Sequence, residues 1–154
     1  MAQSVTGNAG PRVRSDIEVT LEESGSGGLD LNIKSKVKGM YGKAIEKQCR
    51  DLLTFFGVKN ARLSVNDSGA LPFVIAARVE AAVRALTGKS ASFVPEMIAE
   101  NNYASSRDRF RFSRLYLPGN NPGMFLNAGL HSPDGIILDL EDSVAPDKKD
   151  EARI

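Results

Sequence analysis

Three short stretches of the chain alternate apolar with polar residues. They cover residues 16–22, 29–34 and 61–66, and their apolar members are Ile17, Val19, Leu21, Leu29, Leu31, Ile33, Ala61, Leu63 and Val65. A period of two is typical of half-buried strands. Because residues 24–28 are rich in Gly and Ser, the first two stretches predict a hairpin with a five-residue loop. The third predicts another strand, which ends at Asp67-Ser68-Gly69.

A different period separates the second and third strands. From Val37 to Phe56, apolar residues recur at steps of three and four, which predicts an amphipathic helix. Ser35 is the predicted N-cap of this helix, and Gly57 supplies its end. Cys49 lies on the apolar stripe, so we interpret it as a small core residue and not as a reactive thiol.

Residues 71–86 carry mixed signals. Phe73-Val74-Ile75 has strand composition, whereas Pro72 suits a first helical turn, and the later apolar residues keep helical spacing. We predict a helix that ends before Gly88. The order strand, strand, helix, strand, helix then predicts an α+β fold with two layers, a three-stranded antiparallel sheet and two helices.

The regions around this predicted domain, which covers residues 16–88, have other patterns. Residues 1–15 are rich in Gly, Ser, Asn and Ala without apolar periodicity, so we expect a flexible arm and order that begins near Asp16. Residues 89–110 have the composition of a linker.

From Arg114 the sequence predicts a strand, a short helix over 122–130 and a continuous apolar strand over 135–140. Strand, helix, strand suggests a parallel unit, and the apolar run suits a strand buried on both faces. Glu141 and Asp142 follow at its carboxyl end, where ligands bind in α/β proteins, and Asp139 lies two residues before Glu141 in the same strand, so three acids fall within four residues. These three acids either serve a divalent ion with oxygen ligands, such as Mg²⁺, or form a turn whose carboxylates are solvated.

Composition narrows the function classes. The net charge is +1, with 13 Lys/Arg and 9 Asp/Glu in residues 1–89, so no nucleic acid or anionic membrane is expected as a partner. We interpret the arginines at 107, 109, 111 and 114 as a solvated approach to a strand and not as a nucleic-acid site. A single cysteine and a single histidine exclude an internal disulfide and a Cys/His metal cluster. No stretch has the length of a membrane span or the core of a signal peptide, so the expected location is cytoplasmic.

Several motifs follow one another over residues 7–88 in a distinctive order and spacing: Ala9-Gly10, Ser15-Asp16, Leu29-x-Leu31-x-Ile33-x-Ser35-x-Val37, Tyr41-Gly42-x-x-Ile45, Gly69-Ala70-Leu71 and Ala77-Arg78-Val79-Glu80-Ala81-Ala82. In this order and spacing, the first half of the chain resembles the acyl carrier protein (gamma) subunit of citrate lyase. The resemblance implies a carrier that holds acetyl and citryl thioesters for the cleavage of citrate to acetate and oxaloacetate.

The same resemblance implies a covalent prosthetic group, 2'-(5''-phosphoribosyl)-3'-dephospho-CoA, on a serine before the first strand. Ser15 is the serine at that place, although a serine beside an aspartate is by itself usually a turn residue. By the family's spacing, Arg14 occupies the usual serine position and Ser15 the small residue after it. Modification at Ser15, use of Ser4 and loss of modification therefore remain open. The implied partners are a prosthetic-group transferase and citrate lyase alpha (transferase) and beta (lyase) type subunits or domains.

Residues 111–154 contain two further motifs, Leu115-Tyr116-Leu117-Pro118-Gly119-Asn120-Asn121 and Leu138-Asp139-Leu140-Glu141-Asp142-Ser143-Val144-Ala145-Pro146, followed by Lys148 or Lys149 and Ala152-Arg153. With these residues, the end of the chain resembles the start of the citrate lyase beta subunit in the HpcH/HpaI aldolase family. Members are TIM barrels that use Mg²⁺ to cleave a carbon–carbon bond, and the substrate arginine and metal ligands are expected beyond Ile154. Because a barrel needs eight strand–helix units, we expect residues 89–154 to be a poorly ordered or weakly packed fragment of one.

Three functions follow from these patterns. The favoured one is an acyl carrier domain of a citrate lyase-type complex, which catalyses nothing by itself. The second is a magnesium-dependent C–C lyase fragment that uses Asp139, Glu141 and Asp142, and the third is a carrier-like domain that lacks the prosthetic group and only positions the lyase. Cofactor attachment distinguishes the first function from the third.

Overall fold

The three alternating stretches form strands, and a fourth strand near the start of the chain joins them in one sheet. The computed structural model describes residues 2–153, and in it β1 (Gln3–Thr6), β2 (Ile17–Glu23), β3 (Leu29–Ser35) and β4 (Ala61–Asp67) lie in the order β1-β2-β4-β3. β1 is antiparallel to β2, and β2 is antiparallel to β4 with Val19 opposite Val65. β3 runs parallel to β4, with Leu31 opposite Leu63.

This topology confirms the α+β class but corrects the predicted three-stranded antiparallel sheet, because the sheet has four strands and β3 is parallel to β4. The expected hairpin of β2 and β3 is wrong, because β4 lies between them and β3 reaches it through a helical crossover. The expectation that order begins near Asp16 is also wrong, because residues 3–6 form an edge strand. Its inward side chains are Ser4 and Thr6, whose hydroxyl groups donate hydrogen bonds to helix carbonyls, so the strand has no apolar alternation to reveal it.

Two helices cover one face of this sheet, as predicted. α1 spans Lys38–Phe55 and α2 spans Pro72–Thr87, with Pro72 in the first turn and Gly88 in the left-handed conformation at the end. The predicted N-cap is wrong by two residues, because Val37 is the cap of α1. Ser35 instead donates to Asp67 Oδ2 (2.5 Å) and accepts from the Val37 N–H (3.0 Å), so it joins the ends of β3 and β4 to the start of α1.

The core lies between the sheet and the two helices. Its fully enclosed side chains come from β2, β4 and both helices and interdigitate as one cluster: Ile17, Val19, Leu21, Ile45, Cys49, Leu52, Leu53, Phe56, Ala61, Leu63, Val65, Val74, Ile75, Ala76, Val79, Ala82 and Val83. Burying so many apolar side chains is the main source of stability for a domain of this size.

The placement of Cys49 in this core confirms its interpretation as a packing residue and predicts an unreactive thiol. Burial, followed by the charges of Asp67 and Glu46, raises the pKa of Cys49 to about 12. Only the thiolate attacks electrophiles, so alkylation of the native protein at pH 8 should be at least about a hundredfold slower than in denaturant. Timed mass spectrometry with iodoacetamide checks this. Equal rates in the two conditions would show that Cys49 is accessible.

The remaining residues begin with an irregular segment that lies against the helices. The Phe93 N–H donates to Glu80 Oε2 (2.8 Å), and its ring meets that of Phe55 edge-on at 5.4 Å between centroids. A 3-10 turn, Ala99–Asn101, is the regular structure that follows before the last segment of the chain.

The C-terminal segment contains β5 (Arg114–Pro118), α3 (Pro122–Phe125), β6 (Gly135–Asp139) and α4 (Lys149–Arg153), with 3-10 turns at Ala128–His131 and Pro146–Lys148. β5 and β6 are parallel, which confirms the predicted unit, and they form an open two-stranded sheet within residues 2–153. The expected burial of β6 on both faces is wrong, since Ile136 and Leu138 are about half exposed. Over residues 2–153, no helix combines the length and the apolar character that crossing a membrane requires.

Candidate functional site

Ser15 lies at a turn that is fixed to the β4–α2 connection. Its φ angle is 58°, a left-handed conformation that is uncommon for residues other than glycine. The Ser15 N–H donates to the Ser68 carbonyl (3.1 Å), and the Ser68 N–H donates to the Asp16 carbonyl (2.9 Å). Ser15 is half-buried, its oxygen is not closed off from solvent, and its hydroxyl makes no hydrogen bond within residues 2–153. The predicted attachment residue therefore has a rigid backbone and a reachable hydroxyl group.

The next residue, Asp16, anchors this turn through a buried ion pair. Arg78 on α2 approaches Asp16 with two nitrogens, Nε to Oδ1 at 3.0 Å and Nη2 to Oδ2 at 3.2 Å. The Asp16 carboxylate also accepts from Asn8 Nδ2 (2.9 Å) and from the Ile17 N–H (2.8 Å). Both charged side chains are at most 5% exposed. A forked contact of this kind fixes direction as well as distance, so it holds the Ser15 turn against α2.

Arg78 also joins the turn to the C-terminal segment. Its guanidinium donates to the Asn120 carbonyl (3.0 Å) and the Glu151 carbonyl (3.1 Å). Glu151 Oε2 accepts from the Gly7 N–H at 2.7 Å. Glu151 Oε1 accepts no hydrogen bond within residues 2–153, and its nearest cations are Lys148 Nζ at 3.5 Å and Arg78 Nη1 at 3.8 Å. Two carboxylates thus share two cations in one buried network.

Ser4, the alternative attachment residue, lies elsewhere. Its side chain points inward from β1, is 9% exposed and donates a hydrogen bond to the Ala82 carbonyl at 2.8 Å. A bulky group on this oxygen would have to separate β1 from α2. Ser4 is therefore the less accessible of the two hydroxyl groups.

Positive charge surrounds the Ser15 turn. Arg12 and Arg14 are exposed, and neither has an ion-pair partner among residues 2–153. Lys36 Nζ lies against the backbone of the same loop, donating to the Val13 carbonyl at 3.1 Å. Because Arg78 neutralises Asp16, the local field around the Ser15 hydroxyl is positive and favours an anionic group.

The acids at the end of β6 and directly after it form a turn and do not converge on a common point. The Asp139 carboxylate accepts hydrogen bonds from the Glu141 N–H (2.9 Å) and the Ser143 N–H (3.0 Å). Hydrogen bonds from Ser143 and then Glu141 lower the pKa of Asp139. Glu141 and Asp142 are exposed, and the described part of the chain contains no group of three or more His, Cys, Asp or Glu side chains arranged to hold a metal. The arrangement is that of the solvated turn.

Sequence reasoning missed Arg78 and Glu151 as partners of the site. A signal for Arg78 is present in the sequence, because it lies three residues after Ile75 and four before Ala82 and therefore on the buried face of α2. A charged residue on such a face requires a partner. For Glu151 no comparable signal exists, since α4 has only five residues.

Comparisons with known proteins divide the chain in the same way as its motifs. A family model described as malonate decarboxylase delta subunit, of the acyl carrier type, matches residues 5–86. The citrate lyase acyl carrier protein of Fusobacterium nucleatum is 37% identical over 83 residues, which are 54% of this chain and 88% of the relative. The corresponding protein of Klebsiella pneumoniae is 40% identical over 82 residues, 53% of this chain and 84% of the relative.

A third relative, the citrate lyase acyl carrier protein of Lactobacillus helveticus, is 37% identical over 87 residues, 56% of this chain and 89% of its own. Residues 113–154 match the HpcH/HpaI aldolase/citrate lyase family model. No solved structure matches the chain. The family match over more than half of the chain, and relatives matched over most of their own length, show that this chain belongs to the family of the citrate lyase acyl carrier proteins.

Proposed function

We propose that this chain is an acyl carrier of a citrate lyase-type complex and that its prosthetic group is attached to Ser15. The observation that carries the proposal is the Ser15 turn itself. Its hydroxyl reaches solvent and makes no hydrogen bond within residues 2–153, and backbone contacts and the buried Asp16–Arg78 pair hold the turn in place. The relatives named as citrate lyase acyl carrier proteins supply the class of cargo.

The residues around Ser15 fit a phosphodiester. A phosphate on the Ser15 oxygen would be attached to the residue that follows Arg14. The Arg14 guanidinium forms no ion pair with a carboxylate among the described residues, so it is free to bind the phosphate. Asp16 would repel the phosphate, but Arg78 holds that carboxylate from the other side. When bound, the phosphoribosyl-dephospho-CoA group supplies the thiol that carries acetyl and citryl groups as thioesters.

The protein's own task is to present that thiol. A carrier must reach separate partners, so the attachment residue has to be at the surface while the domain behind it stays rigid. The sheet and helices meet that need, because the Ser15 turn is tied to both β4 and α2. We propose a transferase and a lyase of the citrate lyase complex as the partners, with Mg²⁺ acting in a complete lyase barrel only.

Mass spectrometry of the intact protein, made together with its modifying enzymes, tests the attachment. Wild-type protein made with these enzymes should be heavier than the unmodified chain by the mass of the prosthetic group. The Ser15→Ala variant made in the same way should lack this added mass. Ser4→Ala is the matched control, since its hydroxyl is buried, and it should keep the full addition. Mass addition that persists in Ser15→Ala would overturn the assignment.

One observation favours the third of the functions considered above, a carrier-like domain without a prosthetic group. In the family's pattern a small residue follows the modified serine. The left-handed φ of Ser15 suits that small residue, and Arg14 occupies the position of the serine. A double variant, Arg14→Ser with Ser15→Gly, restores that pattern. If wild type gains no mass and the double variant does, the natural chain is a positioning domain. Addition to wild type that Ser15→Ala abolishes supports the carrier.

A further inference from the structure

A groove opens beside the Ser15 turn, between the carrier domain and the C-terminal segment. One wall comes from the loop after β1, with Asn8, Arg12 and Arg14, and the other from the β5–α3 turn, with Asn120, Asn121 and Gly123. Its volume is about 510 Å³. The walls touch, since a Cβ placed on Gly123 would meet the Arg14 carbonyl oxygen at 3.3 Å.

The lining of this groove is cationic and amide-rich. Arg12 and Arg14 contribute two guanidinium groups without ion-pair partners among the described residues, and the Asn side chains contribute amide donors. Asp16 is the carboxylate in the lining, and both of its oxygens are already engaged by Arg78 and by Asn8 or the Ile17 N–H. The unpaired charge in the groove is therefore positive.

A buried contact sets the distance between the two walls. Arg78 binds Asp16 on the first wall and the Asn120 carbonyl on the second, while Glu151 binds the Gly7 N–H. All the charged side chains of this contact except Lys148 are nearly fully buried. The groove is consequently a composite, built only when the C-terminal segment is docked on the carrier domain.

We propose that this groove binds the phosphate groups of a nucleotide-linked arm attached to Ser15 and holds the arm against the C-terminal segment. The proposal rests on the proposed function for the identity of the arm. Its physical basis is the position of the groove, since Arg14 and Asp16 flank the attachment residue, and the charge of its lining. Guanidinium groups bind phosphate oxygens through paired N–H donors, and amides complete such sites.

The consequence for a carrier is a resting position. An arm whose phosphates lie in the groove would leave Ser15 toward the β5–α3 turn, which is hydrogen-bonded to the end of β6 through the Gly119 N–H and the Asp139 carbonyl (2.8 Å). The lyase-type segment of the same chain would then be the first surface that the arm meets.

Titration of the unmodified full chain with dephospho-coenzyme A, followed by amide NMR shifts, tests the groove independently of any modification. We expect shifts at residues 8–16 and at Asn120, Asn121 and Gly123. Pantetheine, which lacks the phosphates, should produce no such shifts. The double variant Arg12→Gln with Arg14→Gln should bind about tenfold more weakly, whereas Arg62→Gln, which removes an exposed guanidinium on β4, should bind as wild type does.

The result that overturns the proposal is also specific. Shifts confined to other residues, such as the exposed arginines at 107–111, or equal affinity in the double variant, would exclude the groove. Failure of mass addition at Ser15 would overturn the proposed function and leave this measurement unaffected. Shifts at the groove whose titration shows about tenfold weaker binding in the double variant would support the site, whichever way the modification experiment turns out.

Discussion

Replacing Arg78 with methionine should lower the free energy of unfolding by about 3–5 kcal/mol, because it leaves two buried carboxylates without their shared cation. Among the described residues, Asp16 would keep its contacts with Asn8 and the Ile17 N–H, and Glu151 would keep Lys148 and the Gly7 N–H. The exposed pair Arg62–Asp30 gives the matched control, since Arg62→Met should cost less than about 1 kcal/mol. Chemical denaturation of the three proteins measures both values.

A second comparison separates charge from packing at this position. Combining Arg78→Met with Asp16→Asn removes the unpaired charge at Asp16 and should recover part of the lost stability. If Arg78→Met alone cost less than about 1 kcal/mol, the network would contribute no more than a surface ion pair. The Ser15 turn would then need another anchor.

The Gly7→Ala variant should be destabilised by about 2–5 kcal/mol. Gly7 has a φ of 76°, and a Cβ there would overlap the Ile17 carbonyl oxygen and approach Arg78 Cδ at 3.1 Å. Strain in the left-handed region and forced displacement of backbone each contribute a few kcal/mol. The overlap is with backbone of β2, so no side-chain rotation relieves it.

Gly25 offers a close control for that experiment. It lies in the loop after β2, has no positive φ, and a Cβ on it would meet no atom of residues 2–153 within 4 Å. Gly25→Ala should therefore change stability by less than about 0.5 kcal/mol. Thermal unfolding of both variants is the measurement, and a Gly7→Ala protein as stable as the Gly25→Ala protein would contradict the close packing at the end of β1.

The elements with strong apolar periodicity were predictable, and the others were not. The stripe of α2, the stripe of α1 from Ile45 onward and the alternation of β2, β3 and β4 are confirmed, because one buried face imposes its period on the sequence. The first turns of α1 are an exception, since Met40 and Tyr41 are exposed. β1 escaped detection because its inward residues are Ser4 and Thr6, which meet helix carbonyls and not apolar side chains. The order of the strands in the sheet could not be predicted either, since local sequence patterns carry no information about which strand lies between two others.

The site was predictable only where chemistry is local. Ser15 stands beside Asp16 in the sequence, and the family resemblance drew attention to it. The other members of the network are distant in the sequence: Arg78 is 62 residues from Asp16, and Glu151 is 73 residues from Arg78. The C-terminal acids had two alternative interpretations. Three carboxylates in four residues suggested a metal as one of two alternatives, whereas Asp139 uses its oxygens on the backbone of its own turn.

The central place of β4 in the sheet has a consequence for synthesis on the ribosome. β2 and β3 both pair with β4, which follows them in the chain by a helix and a turn, so neither side of the sheet can be completed until residue 67 has left the exit tunnel. Until then, the apolar faces of β2 and β3 have no strand between them. Nascent chains stalled before β4 should accordingly be protease-sensitive and bind chaperones, whereas those that extend past α2 should fold as a unit.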